Sequence, residues 1–243
     1  MNQDVEQKVK DILQKDSWQI LPNAYYTDPN TGKPREKDVI ASKTQFPDID
    51  SLHYEARLFI ECKNFPNATR IHTRGIRSTK NTLFPVNVPF ANISEIERSR
   101  QTHFYEYGEV FNLKDSGDFL HIALNQNLQS FAAFRKSKRE QGLFFLLVVY
   151  SGELISIDQA GNNQKRDYAL IQVDALDETF DLPNGQCLIE VVSLDKFEEI
   201  LKKIKADIDR VNSSASFYFH VERNRADENR RQRANEARKN VGL

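Results

Sequence analysis

One uninterrupted apolar run, Leu143–Tyr150, constrains the fold of this chain more than any other part of the sequence. Its eight residues are too few to cross a bilayer as a helix, and a run of this length suits a buried β-strand. The first ten residues contain no apolar core of a signal peptide. We therefore expect a cytoplasmic protein that does not contact a membrane.

The composition permits a real hydrophobic core. Apolar residues make up 39% of the 243 residues and charged residues 28%, which argues against wholesale disorder. The net charge of −1 excludes a uniformly basic nucleic-acid binder, although it leaves room for a local basic surface. Cys62 and Cys187 provide neither a disulfide framework nor metal-finger spacing, so we expect both to be reduced and buried.

The periodicity of apolar residues predicts alternating helices and strands. Helices are expected over residues 5–13, 94–110 and 125–141 and after Ser193, which would cap the last one. Strands are expected over residues 33–41, 54–63, 143–150, 153–158, 168–173 and 187–192. Residues 64–93 contain three prolines and little periodicity, which predicts a long irregular connection.

The end of the chain differs in composition from the rest. Residues 222–240 carry seven basic and four acidic residues and almost no apolar ones. Such a segment is typical of a solvated extension that binds nucleic acid, contacts a partner protein, or only stays in solvent. We therefore divide the chain into a domain over residues 1–213 and a charged C-terminal extension over residues 214–243.

Two predicted strands bring acidic and basic groups together. Alternate residues of a strand face the same side, so Glu61 and Lys63 share one face and Cys62 lies on the other. Asp38 lies on the preceding strand, and the simplest hairpin register places it beside Glu61. The spacing therefore predicts two carboxylates and one ammonium group at the end of a buried strand.

This set of groups suits phosphodiester cleavage. Mg²⁺ prefers oxygen ligands, and Asp38, Glu61 and the backbone carbonyl of Cys62 can supply them. A bound ion neutralises a phosphate and lowers the pKa of its water. Lys63 can orient that water or stabilise developing charge. The residues therefore predict a site for Mg²⁺ or Mn²⁺.

The first helix supplies a further acid. Glu6 projects about 20° from Leu13, on the apolar side of the helix, when successive residues are placed 100° apart. Asp4 and Asp11 project to the opposite side. Glu6 is therefore the acid of this helix that is expected to reach the site and to assist through the metal or the water.

In this order the motifs resemble the PD-(D/E)xK, or restriction-endonuclease-like, nuclease superfamily. The resemblance rests on Glu6, Trp18, the run Gly32–Ala41 and the run Ile60–Lys63, and it extends more weakly to the strand that ends at Val192. Lys37 stands where the superfamily name implies proline. The resemblance implies an α/β fold with a mixed central sheet flanked by helices, with Asp38, Glu61 and Lys63 as catalytic residues and Glu6 as the accessory acid.

A stretch without acids follows the candidate site. Residues 63–93 contain no Asp or Glu, whereas they contain four basic residues suited to phosphate contacts: Arg70, Arg74, Arg77 and Lys80. The expected function is a Mg²⁺-dependent endonuclease acting on DNA, in restriction, defence or repair. Two alternatives remain open: a catalytically inactive nucleic-acid-binding module, and an interaction subunit of a nucleic-acid-processing assembly that contacts its protein partner through the C-terminal extension.

Overall fold

The fold is taken from a computed structural model. It describes residues 3–22, 25–28, 31–45, 54–72, 86–87, 110–112, 118–137, 142–158, 160–174, 186–210 and 212. The predicted extension over residues 214–243 lies outside these residues. No helix in the described ranges is long and apolar enough to cross a membrane.

The described elements are three helices, one 3-10 turn and thirteen strands. The first part of the chain contains α1 (Gln3–Lys15), β1 (Gln19–Ile20), β2 (Tyr25–Thr27), β3 (Pro34–Glu36), β4 (Val39–Gln45), β5 (Tyr54–Asn64), β6 (Thr69–His72), β7 (Val86–Asn87) and β8 (Val110–Asn112). The second part contains α2 (Asp118–Ser137), β9 (Gly142–Ser151), β10 (Leu154–Ile157), β11 (Asn163–Arg166), β12 (Tyr168–Asp174), β13 (Gln186–Ser193), a 3-10 turn (Leu194–Lys196) and α3 (197–210).

A mixed central sheet forms the middle of the molecule. Its strand order is β1-β4-β5-β9-β13-β12-β8, and β7 pairs with the start of β9. Strands β4 and β5 are antiparallel, whereas β5 and β9 run parallel, as do β9 and β13. Two small sheets flank it in the described part of the chain, β2-β3 and β11-β10-β6. The predicted α/β class with a mixed sheet is confirmed.

Helices cover both faces of the central sheet. Alternate residues of β9 point into two separate cores, so that Phe145 and Leu147 pack with α1 and α3, whereas Phe144 and Leu146 pack with α2. The apolar run Leu143–Tyr150 is therefore buried on both sides, which explains why it lacks the polar alternation of a half-exposed strand.

Most of the predicted strands are confirmed, and one is divided. Strand 54–63 corresponds to β5 and strand 143–150 to β9. The predicted strand 33–41 is instead two strands, because β3 pairs with β2 whereas β4 pairs with β5. The chain changes sheets at Lys37 and Asp38, and this change affects the candidate site directly.

Three further expectations need correction, and a fourth falls mostly outside the described residues. Helix α2 begins at Asp118, seven residues before the predicted start, because Leu120 and Leu124 already belong to its buried face. Residues 64–93 are not wholly irregular, since they include β6 and β7. The predicted helix 94–110 lies outside the described residues except for Val110, which begins β8. Ser193 makes no side-chain capping bond, and a 3-10 turn precedes α3.

Candidate functional site

Strand β5 places the predicted acid and base on the α2 side of the sheet. Cys62 is buried in the core with α1, whereas Phe59 packs against α2. Glu61 is two residues from Phe59 and shares its face, and Lys63 follows on the same side. The side-chain alternation predicted for the end of this strand is therefore present.

Asp38 lies just before β4, next to the end of β5. Its Oδ2 accepts a hydrogen bond of 2.7 Å from the backbone N–H of Cys62, and the same oxygen is 4.0 Å from Nζ of Lys63. Because the N–H and C=O of one strand residue point to the same edge, the Cys62 carbonyl faces the Asp38 side of β5. Two carboxylates, one ammonium and one carbonyl thus meet at one strand end.

Two ammonium groups hold the Glu61 carboxylate. Lys37 donates to Oε1 at 2.8 Å and Lys63 donates to Oε2 at 3.0 Å. Only 2% of Glu61 is exposed. Burial alone would raise the pKa of Glu61, but the charges and hydrogen bonds of Lys37 and Lys63 hold the pKa below its ordinary value. Glu61 is therefore ionised at neutral pH.

The pKa of the neighbouring carboxylate, Asp38, is shifted in the opposite direction. Burial and the negative charge of Glu61 raise the pKa of Asp38 to about 6. The Cys62 N–H and the two lysines oppose that rise without cancelling it. Two like charges placed close together in a partly dry pocket disfavour the ionised form of the less well compensated group. Asp38 is that group, and a cation added to the pocket would relieve it.

Helix α2 completes the surroundings of Lys63. Oε1 of Gln126 accepts a hydrogen bond of 3.0 Å from Lys63 Nζ. Rings on α2, β5 and β9 fix the helix against the sheet, with Phe59 and Phe131 in edge contact at 5.5 Å between centroids. Lys63 is therefore oriented by one carboxylate and one amide.

Sequence reasoning missed Lys37 and Gln126 as members of the site. Strand alternation would place Lys37 on the face opposite Asp38, and only the change of sheet at this point brings it to Glu61. Gln126 had a faint signal, because three consecutive polar residues, Asn125 to Asn127, interrupt an otherwise apolar helical pattern. Nothing in that pattern indicated which of the three reaches Lys63.

A tyrosine from the small β2-β3 sheet also approaches the acid pair. Burial and the negative charge of Glu61 raise the pKa of Tyr26 to about 12, so the phenol stays protonated. In the same sheet Arg35 pairs with the buried Asp28 at 2.9 Å. This pair secures β3, which leads directly into Lys37 and Asp38.

Glu6 is near the site but bonded elsewhere. Its Oε1 is 2.5 Å from Nζ of Lys10, one turn along α1. In the described part of the chain no hydrogen bond or ion pair joins Glu6 to Asp38, Glu61 or Lys63. It lies close enough to Cys62 to help burial and Asp38 raise the pKa of that thiol. The structure therefore places Glu6 on the α1 side of β5.

Only one of the four predicted phosphate-binding residues can be placed. Arg70 is exposed on β6, opposite Ile155 of β10, and Lys165 of β11 lies on the other side of Ile155. Arg74, Arg77 and Lys80 lie outside the described residues. Arg70 is thus held by a strand rather than by an irregular loop.

The residues present suit a magnesium ion that keeps several waters. Within the described ranges no group of three or more His, Cys, Asp or Glu side chains could hold a metal ion. Asp38, Glu61 and the Cys62 carbonyl are nevertheless a hard-oxygen set, and Mg²⁺ is commonly held by one or two carboxylates plus water. The donor chemistry therefore fits, although one Glu61 oxygen must first be released by a lysine.

Comparison of the chain with protein-family models, with curated proteins and with solved structures found no match in any of the three.

Proposed function

We propose that the chain is a metal-dependent endonuclease that hydrolyses phosphodiester bonds of DNA. The observation that carries this proposal is the meeting of Asp38, Glu61 and Lys63 at the end of β5, with Lys63 Nζ 3.0 Å from Glu61 and 4.0 Å from Asp38. A restriction-endonuclease-like fold requires a mixed sheet covered by helices on both faces. The presence of such a sheet supports the proposal that this α/β fold is restriction-endonuclease-like.

Each residue of the site has a chemical task in this proposal. Asp38 and Glu61, with the Cys62 carbonyl, would hold Mg²⁺ or Mn²⁺, which would supply positive charge against the phosphate and acidify water. Lys63 orients the attacking water, and its hydrogen bond to Gln126 fixes the ammonium group for that role. Glu6 assists through water after it leaves Lys10.

DNA contacts are proposed for the basic residues that follow β5. Arg70 is exposed on β6, and the small sheet that contains β6 continues from the ends of β5 and β9. Arg74, Arg77 and Lys80 would extend this contact along the backbone phosphates. We place the activity in the cytoplasm, in restriction, defence or repair.

One observation favours a second candidate function. Both oxygens of Glu61 already accept hydrogen bonds from ammonium groups, so its negative charge is compensated without any metal. A chain that retains this arrangement would be a catalytically inactive nucleic-acid-binding module, or an interaction subunit that uses residues 214–243 to contact a protein partner.

A cleavage assay separates these functions. Supercoiled plasmid and single-stranded DNA are incubated with the protein in Mg²⁺, Mn²⁺ or EDTA, and the expected result is cutting that requires the metal. Lys63→Ala and Asp38→Asn should reduce the rate by about 100-fold or more, since each removes a group that stabilises the transition state.

Two surface variants serve as matched controls. Lys202→Ala removes an exposed lysine of α3, and Asp195→Asn neutralises an exposed acid in the 3-10 turn before α3. Both variants should cut like the unchanged protein. Cutting that persists at full rate in Lys63→Ala and Asp38→Asn would contradict the proposal. Salt-dependent DNA binding with no cutting in any metal would support the inactive module instead.

A further inference from the structure

Lys37 is the most deeply buried charged side chain of the candidate site. Its side chain is 0% exposed, and Oε1 of Glu61, at 2.8 Å, is its one ion-pair partner in the described part of the chain. An ammonium group removed from water in this way is stable only while it stays paired, because an uncompensated buried charge costs several kcal/mol. Lys37 and Oε1 of Glu61 are therefore a fixed pair.

Lys63 is held much less strictly. Its side chain is 14% exposed, and it contacts both Oε2 of Glu61 and Oε1 of Gln126 at 3.0 Å. If it releases Glu61, it keeps the Gln126 hydrogen bond and access to water. Of the two oxygens of Glu61, Oε2 is thus the one that can lose its lysine partner.

We propose that Lys37 stays paired with Oε1 of Glu61 and thereby limits the pocket to one weakly held divalent ion, for which only Oε2 of Glu61 and Asp38 are left. This inference rests on the proposed metal-dependent function. Lys37 acts through Glu61 as a positioning residue, and it touches no reacting atom. Its charge also repels a metal ion bound to the same carboxylate, since the Coulomb interaction is strong in a buried pocket.

Metal binding tests the inference without any cleavage assay. Free Mn²⁺ is followed by electron paramagnetic resonance while the whole protein is titrated, for the unchanged chain, Lys37→Met, Lys37→Gln and Lys37→Arg. The unchanged chain should bind one Mn²⁺ per molecule. Lys37→Met and Lys37→Gln should bind it at least about tenfold more tightly because the repelling charge is gone, and Lys37→Arg should not.

A matched control lies on the adjoining strand. Lys43 of β4 is half-buried, donates to the backbone oxygen of Asp16 and lies over the Trp18 ring, so Lys43→Met removes a comparable lysine away from Glu61. Its Mn²⁺ affinity should equal that of the unchanged chain. Circular dichroism and urea unfolding show which variants fold, and Lys37→Gln keeps an amide donor for Glu61 if Lys37→Met does not fold.

The possible results separate this inference from the proposed function. Equal Mn²⁺ affinity in folded Lys37→Gln and in the unchanged chain would overturn the role of Lys37 while leaving the metal site intact. Two ions per unchanged chain would overturn it as well. If neither the unchanged chain nor the variants bind Mn²⁺, the metal-dependent function fails together with the inference. Binding by Lys37→Gln alone would show that Lys37 excludes the ion altogether, which would overturn both the single ion of the unchanged chain and the metal-dependent function.

Discussion

Four charged groups lie at the end of β5, and its two carboxylates are not equally neutralised by positively charged partners. Glu61 is bonded to Lys37 and Lys63. Among the described residues, Asp38 receives only the Cys62 N–H within hydrogen-bonding distance, and it is 4.0 Å from Lys63. A divalent ion would complete the compensation of Asp38. This imbalance would suit the proposed cation site.

The pKa of Asp38 makes stability depend on pH. Because the pKa rises from 3.8 in the unfolded chain to about 6 in the folded one, the folded state binds more protons between those values. Stability therefore falls as the pH rises from about 4 to about 6. A shift of this size corresponds to about 3 kcal/mol once Asp38 is fully ionised.

Asp38→Asn should consequently stabilise the protein while it slows the proposed cleavage. In EDTA at pH 7.5 its free energy of unfolding in urea should exceed that of the unchanged chain by up to about 3 kcal/mol, since Asn carries no charge and can still accept from Cys62. The difference should vanish below about pH 4. Asp195→Asn, on the surface, should show no such gain, and an equal gain in both variants would argue against a strained acid at position 38.

At the scale of elements, the chain passes close to itself where Phe65 follows β5 and Gly152 follows β9, and we call this close approach the crossing. Phe65 donates its N–H to the oxygen of Ser151 at 2.9 Å, and its ring stacks on Tyr150. Gly152, which follows, has a φ of +105°, and a Cβ at this position would lie 2.5 Å from the carbonyl oxygen of Phe65. This crossing fixes where the chain leaves Lys63 and enters β6.

Gly152→Ala should therefore destabilise the protein by more than its backbone conformation alone explains. We expect a loss of about 2–4 kcal/mol in urea unfolding, from the left-handed backbone together with the clash against a rigid carbonyl. Gly161→Ala is the matched control, because Gly161 also has a positive φ, of +84°, with nothing within 4 Å of the added Cβ, and about 1 kcal/mol should be lost there. Equal losses at the two positions would show that the crossing is less tight than the structure indicates.

For the whole molecule, the small sheet β11-β10-β6 continues from the strand ends that carry the site. Arg70 and Lys165 flank Ile155 on this sheet, and both basic side chains are exposed. DNA that follows this surface would release counterions in proportion to the phosphates it contacts. The chain as a whole carries a net charge of −1, so binding must depend on local charge.

Replacing the four predicted phosphate-binding residues of the acid-free stretch should weaken DNA binding in a salt-dependent way. In a variant with Arg70, Arg74, Arg77 and Lys80 changed to alanine, the slope of log affinity against log salt concentration should become shallower by about 3–4, if each residue contacts one phosphate. Fluorescence anisotropy with a labelled duplex measures this slope in EDTA. Lys202→Ala with Lys205→Ala, on exposed positions of α3, should leave the slope unchanged. An unaltered slope in the fourfold variant would place the DNA elsewhere.

The sequence by itself determined the parts of this protein that depend on local pattern. The run Leu143–Tyr150 predicted a buried strand, the spacing of Val5, Val9 and Leu13 predicted a helix with one apolar side, and alternation in β5 placed Glu61 and Lys63 together. Each of these follows from the fixed periods of a strand and a helix, which side chains a few residues apart reveal.

Only the tertiary structure decided which groups neutralise and orient the charged side chains of the site. Glu61 is paired with Lys37, which is 24 residues away along the chain, and Lys63 is bonded to Gln126, which is 63 residues away. No periodic pattern in the sequence reaches so far. Lys37 enters because the chain passes from one sheet to another beside it, and Gln126 because α2 packs on β5. The raised pKa of Asp38 is a consequence of that packing, since burial and neighbouring charge are properties of the folded chain.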